Sequence, residues 1–198
     1  MPLTTIPNDP FALFDEWYRE AATHELNDPN AMSLATVNAQ GEPSVRMVLL
    51  KDYQSGGFSF FTNTQSRKGQ DIAANPNVAL CFHWKSLKRQ VRVEGVVYEV
   101  SAEEADAYFS NRPIGAQIGA WASQQSSPLE SRELLEEKVA DYAMKFGDNS
   151  VPRPPYWSGF RVIPKCIEFW VDRPFRLHDR ILYTYEGPNS WSITRLNP

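Results

Sequence analysis

The stretch IEFWVDRPFRLHDR, Ile167–Arg180, joins an apolar, β-prone run to cations that recur at every second position, Arg176, His178 and Arg180. In an extended strand, side chains at i, i+2 and i+4 share a face, so these three are expected to line one surface while Leu177 turns away. Phe169 and Trp170 lie just upstream. Guanidinium groups fork onto phosphate or carboxylate oxygens and aromatic rings offer flat apolar contact, so the combination suits an anionic, planar aromatic ligand. Standing alone, an R-x-H-x-R pattern reads better as an exposed strand of solvated charges.

The chain's 198 residues suffice for one sizeable core, and no shift in composition divides them. Aromatic side chains make up 13% of the sequence, with six Trp, eight Tyr and 11 Phe, which favours a β-rich fold or a pocket that stacks on flat ligands. A formal net charge of -4 argues against a general nucleic-acid binder, so basic clusters are read as specific sites. Cys81 and Cys166 sit in apolar runs, VALCF and PKCIEFW, and are expected to be buried free thiols, as suits a reducing cytosol. The opening residues MPLTTIPNDP show no basic or apolar leader pattern, and no run approaches a membrane span. A soluble, cytoplasmic protein is expected.

Asp9-Pro10 reads as an N-cap with proline at the first helical position, and Phe11, Phe14, Trp17 and Ala21 follow at helical spacing. Strands are expected over Ala31–Val37 and Ser44–Leu50, joined as a hairpin through Asn38–Glu42, and over Phe58–Thr62. Ser66 opens a short helix that Asn75-Pro76 ends. Val78–Trp84 and Gln90–Val100 read as two further strands. Ser101-x-x-Glu104 is a capping box before a helix carrying Tyr108 and Phe109, Arg112–Ser126 reads as irregular, and Ser127-Pro128 with Glu130 opens a longer helix closed by Gly147. After a stiff, proline-rich connection over 148–155 come strands at Trp157–Val162, Cys166–Val171, Ile181–Tyr185 and Trp191–Arg195. Antiparallel-looking strands with helices set between them give an α+β fold whose strands suit closure into a small barrel.

Several groups could carry chemistry. At Ser66-Arg67-Lys68 a helix start offers free backbone N–H groups beside two cations, an arrangement suited to a phosphate. Arg46 and Lys51 bracket an apolar strand and differ by an odd number of positions, so they are expected to face opposite sides and could serve two anions. Tyr108 and Arg112, four apart, could pair a phenol with a guanidinium around one oxyanion. Gln90, Gln125 and Ser126 could hydrogen-bond a heterocycle's edge. His24 and His83 have no companions for a metal shell, no metal site is expected, and neither a dinucleotide Gly motif nor a P-loop occurs.

Six blocks, RMVLLK at Arg46–Lys51, TNTQSRKGQDI at Thr62–Ile72, KRQVRVEG at Lys88–Gly95, YFSNRP at Tyr108–Pro113, QIGAWASQQSS at Gln117–Ser127 and WSGFRV at Trp157–Val162, resemble successive blocks of the pyridoxine (pyridoxamine) 5'-phosphate oxidases. The Ile167–Arg180 stretch resembles that family's C-terminal signature. The resemblance implies a single FMN-binding split β-barrel domain with flanking helices over 1–198, a short arm at 1–9 and a dimerisation and active-site segment at 157–198. It implies FMN held by Arg46, Met47, Val48, Leu49, Lys51, Phe61, Thr62, Arg67, Lys68, Gln90, Gln125, Ser126, Trp170 and Arg180, at the interface of a homodimer. It places the phosphate of pyridoxine or pyridoxamine 5'-phosphate on Lys51, Tyr108 and Arg112, and sets Arg176 and His178 over the substrate ring as catalytic residues, with dioxygen as electron acceptor. Departures from the family pattern are Val171 after the signature Trp, Ala116 where a serine is common, Phe61 where a tyrosine is frequent, and no basic arm before the first helix. Rival readings are a phenazine-biosynthesis oxidase of the same fold, a flavin or pyridoxal phosphate carrier, and a split barrel that binds no flavin.

Overall fold

The computed structural model describes residues 6–147 and 150–198; residues 1–5 of the expected arm and 148–149 of the proline-rich connection lie outside the described residues. Helix α1 (Pro10–His24) begins as the sequence dictates, with the Asp9 side chain accepting from Phe11 N–H at 2.9 Å. Strands β1 (Ala31–Val37) and β2 (Pro43–Leu49) form the first hairpin, β3 (Phe58–Asn63) follows, and α2 (Arg67–Ala74) leads into the antiparallel pair β4 (Asn77–Trp84) and β5 (Arg89–Glu99). Helices α3 (Ala102–Ser110), α4 (Ile114–Ala122) and α5 (Arg132–Phe146) precede β6 (Trp157–Val171), β7 (Asp179–Gly187) and β8 (Ser190–Arg195).

All strands join one antiparallel sheet in the order β2-β1-β4-β5-β6-β7-β8, and β3 pairs with β6 off that path. Closure comes from two short backbone bonds just beyond β2, Lys51 N–H to Ser59 O at 2.8 Å and Ser59 N–H to Asp52 O at 2.7 Å. They return β3 to β2 and seal the ring β2-β1-β4-β5-β6-β3. Strand β6 is long enough to pair with β3 along its first half and β7 along its second, so the barrel splits there. The irregularity opposite Glu94/Gly95 lets β6 bend between these two duties; Pro164 lacks an N–H to lose at that point, and a Cβ on Gly95 would strike the Ile163 carbonyl.

The apolar stripe of α1, Leu13, Phe14, Trp17 and Ala21, is buried in the main core. Phe14 meets Phe58 edge-on at 4.9 Å and Phe82 at 5.1 Å, geometry that rings prefer over face-to-face contact. A second cluster, Phe109, Ile118, Val151 and Trp157, packs α3 and α4 against the start of β6. Both cysteines are half-buried free thiols whose pKa burial pushes up.

Five expectations need correction. Arg176 and His178 do not stand on a strand: Pro174–Arg176 is a tight turn and β7 begins only at Asp179, because Pro174 fixes φ and Phe175 and Arg176 take left-handed backbone. The stretch read as irregular contains α4. Helix α5 is capped by Ser131, whose Oγ accepts from Leu134 N–H, and not from Ser127. The two strands expected at Trp157–Val162 and Cys166–Val171 are the single strand β6. Ser66 precedes α2 but its hydroxyl donates to Asn63 O at 2.7 Å instead of capping.

Candidate active site

Beyond the end of β2, beside β3, α3 and α4, lies a cleft of about 710 Å³. Met47, Val48, Leu49, Lys51, Phe61, Thr62, Lys68, Tyr108, Arg112 and Gln125 all line it. Drawn from four of the six blocks, with Phe61 beside them, these residues therefore meet in one place. Its floor is a stack of rings: Phe61 lies 3.9 Å from Tyr108 with planes 8° apart, and 5.5 Å from Trp157. The stack needs Gly159, the register partner of Phe61, since a Cβ there would sit 2.5 Å from the Phe61 ring.

Arg112 is placed by its neighbours' hydrogen bonds. The Gln117 side chain donates to Arg112 O at 2.7 Å and to Ser110 O at 3.2 Å, fixing the turn between α3 and α4. Helix α3 is itself held to the barrel by Arg161, which bonds Glu104 at 2.7 Å, so the Glu104 carboxylate serves the barrel seam. The Arg112 guanidinium lies over Trp157 at 4.8 Å and Phe109 at 5.5 Å. Its Nη1 is buried without a hydrogen-bond partner, and burial lowers its pKa. A guanidinium with a buried, unpaired donor is suited to binding an anion. Lys51 Nζ reaches the Tyr108 ring at 5.9 Å, bringing a second cation beside that phenol.

A second cationic centre surrounds Lys68. Its buried Nζ donates to Thr62 Oγ1 at 3.1 Å, Ser66 Oγ at 3.2 Å and Gln125 Oε1 at 3.1 Å, all uncharged acceptors. Burial lowers its pKa and nearby Arg46 lowers it further; Arg46 in turn is lowered by burial and by exposed Arg67, against the opposing pull of Asp71 at 3.8 Å. Arg46 also bonds Thr36 Oγ1 at 2.6 Å. Arg46 thus stands between two like charges, Lys68 and Arg67, with Asp71 as its counter-charge, an arrangement that a phosphate would relieve. Arg46 and Lys51 meet different partners, but Lys51 lies beyond the end of β2, so strand parity does not decide it.

The remaining candidates assemble elsewhere. Gln90, Trp170 and Arg180 are successive register partners across β5, β6 and β7, so they share one face. His178 packs on Trp170 with ring centroids 4.6 Å apart, and its Nδ1 accepts from Arg173 N–H at 3.1 Å. Arg180 is oriented by buried Glu168, at 2.8 Å and 3.1 Å, and by Asn197 O at 2.9 Å. Neither this row nor Arg176 lines the cleft, and Ser126, at φ 73°, lies beside Gln125 without lining it. Cleft residues that sequence reasoning missed are Asn63, Asn111, Pro113, Ser123 and Trp157, with Gly119 and Ala120 from α4; Ala116, noted as a departure from the family pattern, lines the cleft as well.

Two family models match: pyridoxamine 5'-phosphate oxidase over residues 18–146 and the pyridoxine 5'-phosphate oxidase C-terminal dimerisation region over 157–198. The pyridoxine/pyridoxamine 5'-phosphate oxidase of Rhodospirillum rubrum is 60% identical over 195 residues, 96% of each chain. That of Brucella canis is 59% identical, covering 96% of this chain and 94% of its own. Among solved structures, PhzG from Burkholderia lata in complex with tetrahydrophenazine-1-carboxylic acid superposes with a TM-score of 0.91 at 29% identity, over 97% of this chain and 94% of that one. An FMN-binding, pyridoxamine 5'-phosphate oxidase-related protein from Nostoc punctiforme shares the fold, with a TM-score of 0.77 at 18% identity over 96% and 98% of the two chains. With near-full-length matches on both counts and its barrel closed and split at β6, this chain belongs to the pyridoxine/pyridoxamine 5'-phosphate oxidase family.

Proposed function

We propose that this chain is an FMN-dependent oxidase that converts pyridoxine 5'-phosphate or pyridoxamine 5'-phosphate to pyridoxal 5'-phosphate, with dioxygen as acceptor and hydrogen peroxide as product. The observation that carries this is the pair of cationic centres on one ring-floored cleft, Lys68, whose acceptors there are all uncharged and behind which Arg46 and Arg67 stand outside the lining, and Arg112 with Lys51 and Tyr108. Two phosphate-bearing partners, cofactor and substrate, need two such centres. The donor set fits FMN: Lys68, Arg46 and Arg67 would hold its phosphate, Thr62 and Gln125 offer polar edges, and Met47, Val48 and Leu49 line the wall against which a flat ring system can lie. FMN held there would supply the redox chemistry, that of a hydride acceptor reoxidised by dioxygen.

The protein's own contribution is position and charge. Arg112, Lys51 and the Tyr108 hydroxyl would grip the substrate phosphate, and binding energy spent there orients the reacting carbon. Arg176 and His178 would bear on the pyridine ring and offset charge that develops there as hydride leaves. Since Arg176, His178, Gln90, Trp170 and Arg180 stand away from the cleft of their own chain, a complete site calls for a second copy. A homodimer with FMN at the interface follows, in keeping with the C-terminal dimerisation region matched at 157–198. We take 1–198 as one functional unit on this basis. No described helix is long and apolar enough to cross a membrane, and the free thiols Cys81 and Cys166 suit a cytoplasmic setting.

A phenazine-type oxidase is the second reading, favoured by the TM-score of 0.91 to PhzG. Identity weighs against it, at 60% to the Rhodospirillum rubrum oxidase and 29% to PhzG. Anaerobic mixing of the purified, FMN-loaded protein with pyridoxine 5'-phosphate tests the proposal. The visible flavin bands should bleach, then return with air as pyridoxal 5'-phosphate accumulates. Bound flavin that stays oxidised would refute it.

A further inference from the structure

Arg161, on β6, stands where four segments meet. Its Nε donates to Ser59 Oγ at 3.1 Å and its Nη2 to Glu104 Oε1 at 2.7 Å, which ties β3 and α3 to β6. Gly57 leaves room for the stem, since a Cβ there would lie 2.8 Å from Arg161 Cγ. Ser59 is also the residue whose backbone bonds Lys51 and Asp52 at the barrel seam. Asp52 brings its carboxylate to 3.9 Å from the same Nη2, and its Oδ2 is buried without a hydrogen-bond partner. At the start of α3, Ser101 Oγ accepts from Glu104 N–H at 3.2 Å as a capping box requires, but the Glu104 carboxylate, which such a box sends back to the cap, is turned to Arg161.

We propose that Arg161 is a positioning residue that sets the spacing between the two halves of the phosphate grip, Lys51 at the seam and Tyr108 with Arg112 on and just past α3. The phosphate rests on the function proposed above; the joint between the halves rests on these bonds. Across the cleft the halves meet where Lys51 Nζ stands 5.9 Å from the Tyr108 ring, at the limit of attraction between a cation and a ring, so their spacing is set from behind. A guanidinium suits the task because its planar fork holds two partners in fixed geometry. A second arginine, Arg153, ties α3 to β6 through Asp106 Oδ1 and Trp157 O, both at 2.6 Å. Helix α3 therefore stays docked when Arg161 is altered, and the effect falls on the spacing.

Two variants of the FMN-loaded protein test this, Glu104→Gln and Arg161→Lys. Glutamine still suits a capping box but carries no charge, and lysine keeps the charge but loses the fork. Titration calorimetry with inorganic phosphate reads the grip without turnover, and steady-state assays with pyridoxine 5'-phosphate give KM and kcat. A grip slackened by about one charged hydrogen bond predicts that each variant weakens phosphate binding and raises KM about ten-fold. FMN affinity and kcat should change far less, and the double variant should be little worse than either single one. Phosphate affinity and KM equal to the parent's in both variants would overturn the joint, as would an equal loss of FMN affinity, the mark of a general loosening. A parent that binds no phosphate would refute the grip and the joint with it. Phosphate binding that falls in both variants of a chain inert toward pyridoxine 5'-phosphate would uphold the joint and overturn only the assigned substrate.

Discussion

Replacing Arg112 by methionine should make the protein more stable and a worse enzyme at once. The side chain's Nη1 is buried with no partner, and burial already lowers its pKa. An unsatisfied buried donor costs about 1–3 kcal/mol, and methionine, of similar length and apolar, removes that cost. What is lost is the contact of the cation with Trp157 at 4.8 Å, worth about 0.5–1 kcal/mol. The difference runs from about zero to a gain of roughly 2.5 kcal/mol, or up to about 10 °C in Tm for a chain of this size. Catalysis should move the other way. A charged hydrogen bond to the substrate phosphate is worth about 1.5–3 kcal/mol, so KM for pyridoxine 5'-phosphate should rise about 10- to 150-fold while FMN content stays near that of the parent. Thermal melts of the substrate-free protein, flavin absorbance and steady-state kinetics on the same preparations decide the matter. A drop in Tm with unchanged KM would show that Arg112 is a packing residue and that the cleft has no phosphate grip at this end.

Two further outcomes rest on other parts of the structure. Gly159→Ala places a methyl group 2.5 Å from the Phe61 ring and 2.8 Å from Val100; overpacking of this kind costs about 1–3 kcal/mol. Tm should fall, and because Phe61 carries Tyr108 on its face, KM should rise with it; kinetics unaltered despite a lowered Tm would uncouple the ring stack from the substrate. Burial pushes the Tyr183 hydroxyl, which donates to Pro7 O at 2.8 Å, up to about 12 from its ordinary 10.0. The unfolded chain then releases this proton first, so the contribution is full below about pH 10 and is lost as pH climbs toward about 12, on the order of 2 kcal/mol. Melting curves taken across this range should fall more steeply for the parent than for Tyr183→Phe, and parallel curves would sink the assignment.

Much of the barrel was legible because its strands bury alternate residues. In β1 the pattern alternates without a break, and Met32, Leu34 and Thr36 point inward, which is the period-2 signal a half-buried strand must give. Legibility failed where one residue type serves two geometries. Arg176, His178 and Arg180 alternate as strand residues do, yet Pro174 and two left-handed residues bend the chain into a turn first. Small residues in α4 carried little apolar contrast, so a helix that lines the cleft read as a loop. Pro164 split one strand into two on paper, whereas a bulge opposite Gly95 absorbs it.

The site shows the same division more sharply. Local chemistry identified Lys68 and Arg112 as anion-seeking groups from their neighbours in sequence, since a basic helix start and an i, i+4 phenol–guanidinium pair are local patterns. No local pattern could place them on one cleft. That depends on Lys51 N–H reaching Ser59 O, two backbone groups in segments that alone read as a turn and a strand, because this bond closes the barrel and sets β2 beside β3. Nor could a local pattern separate Arg176 and His178 from that cleft, for the separation follows from β6 leaving β3 midway to pair with β7. The split that gives the fold its shape thus puts the two groups of site residues on different surfaces of one chain. Two copies related by a two-fold axis can bring unlike surfaces together twice over, so such a chain would form two complete sites as a dimer and none as a monomer. Dilution should therefore abolish turnover in step with dissociation, and a monomer that kept full activity would refute the division of the site between chains.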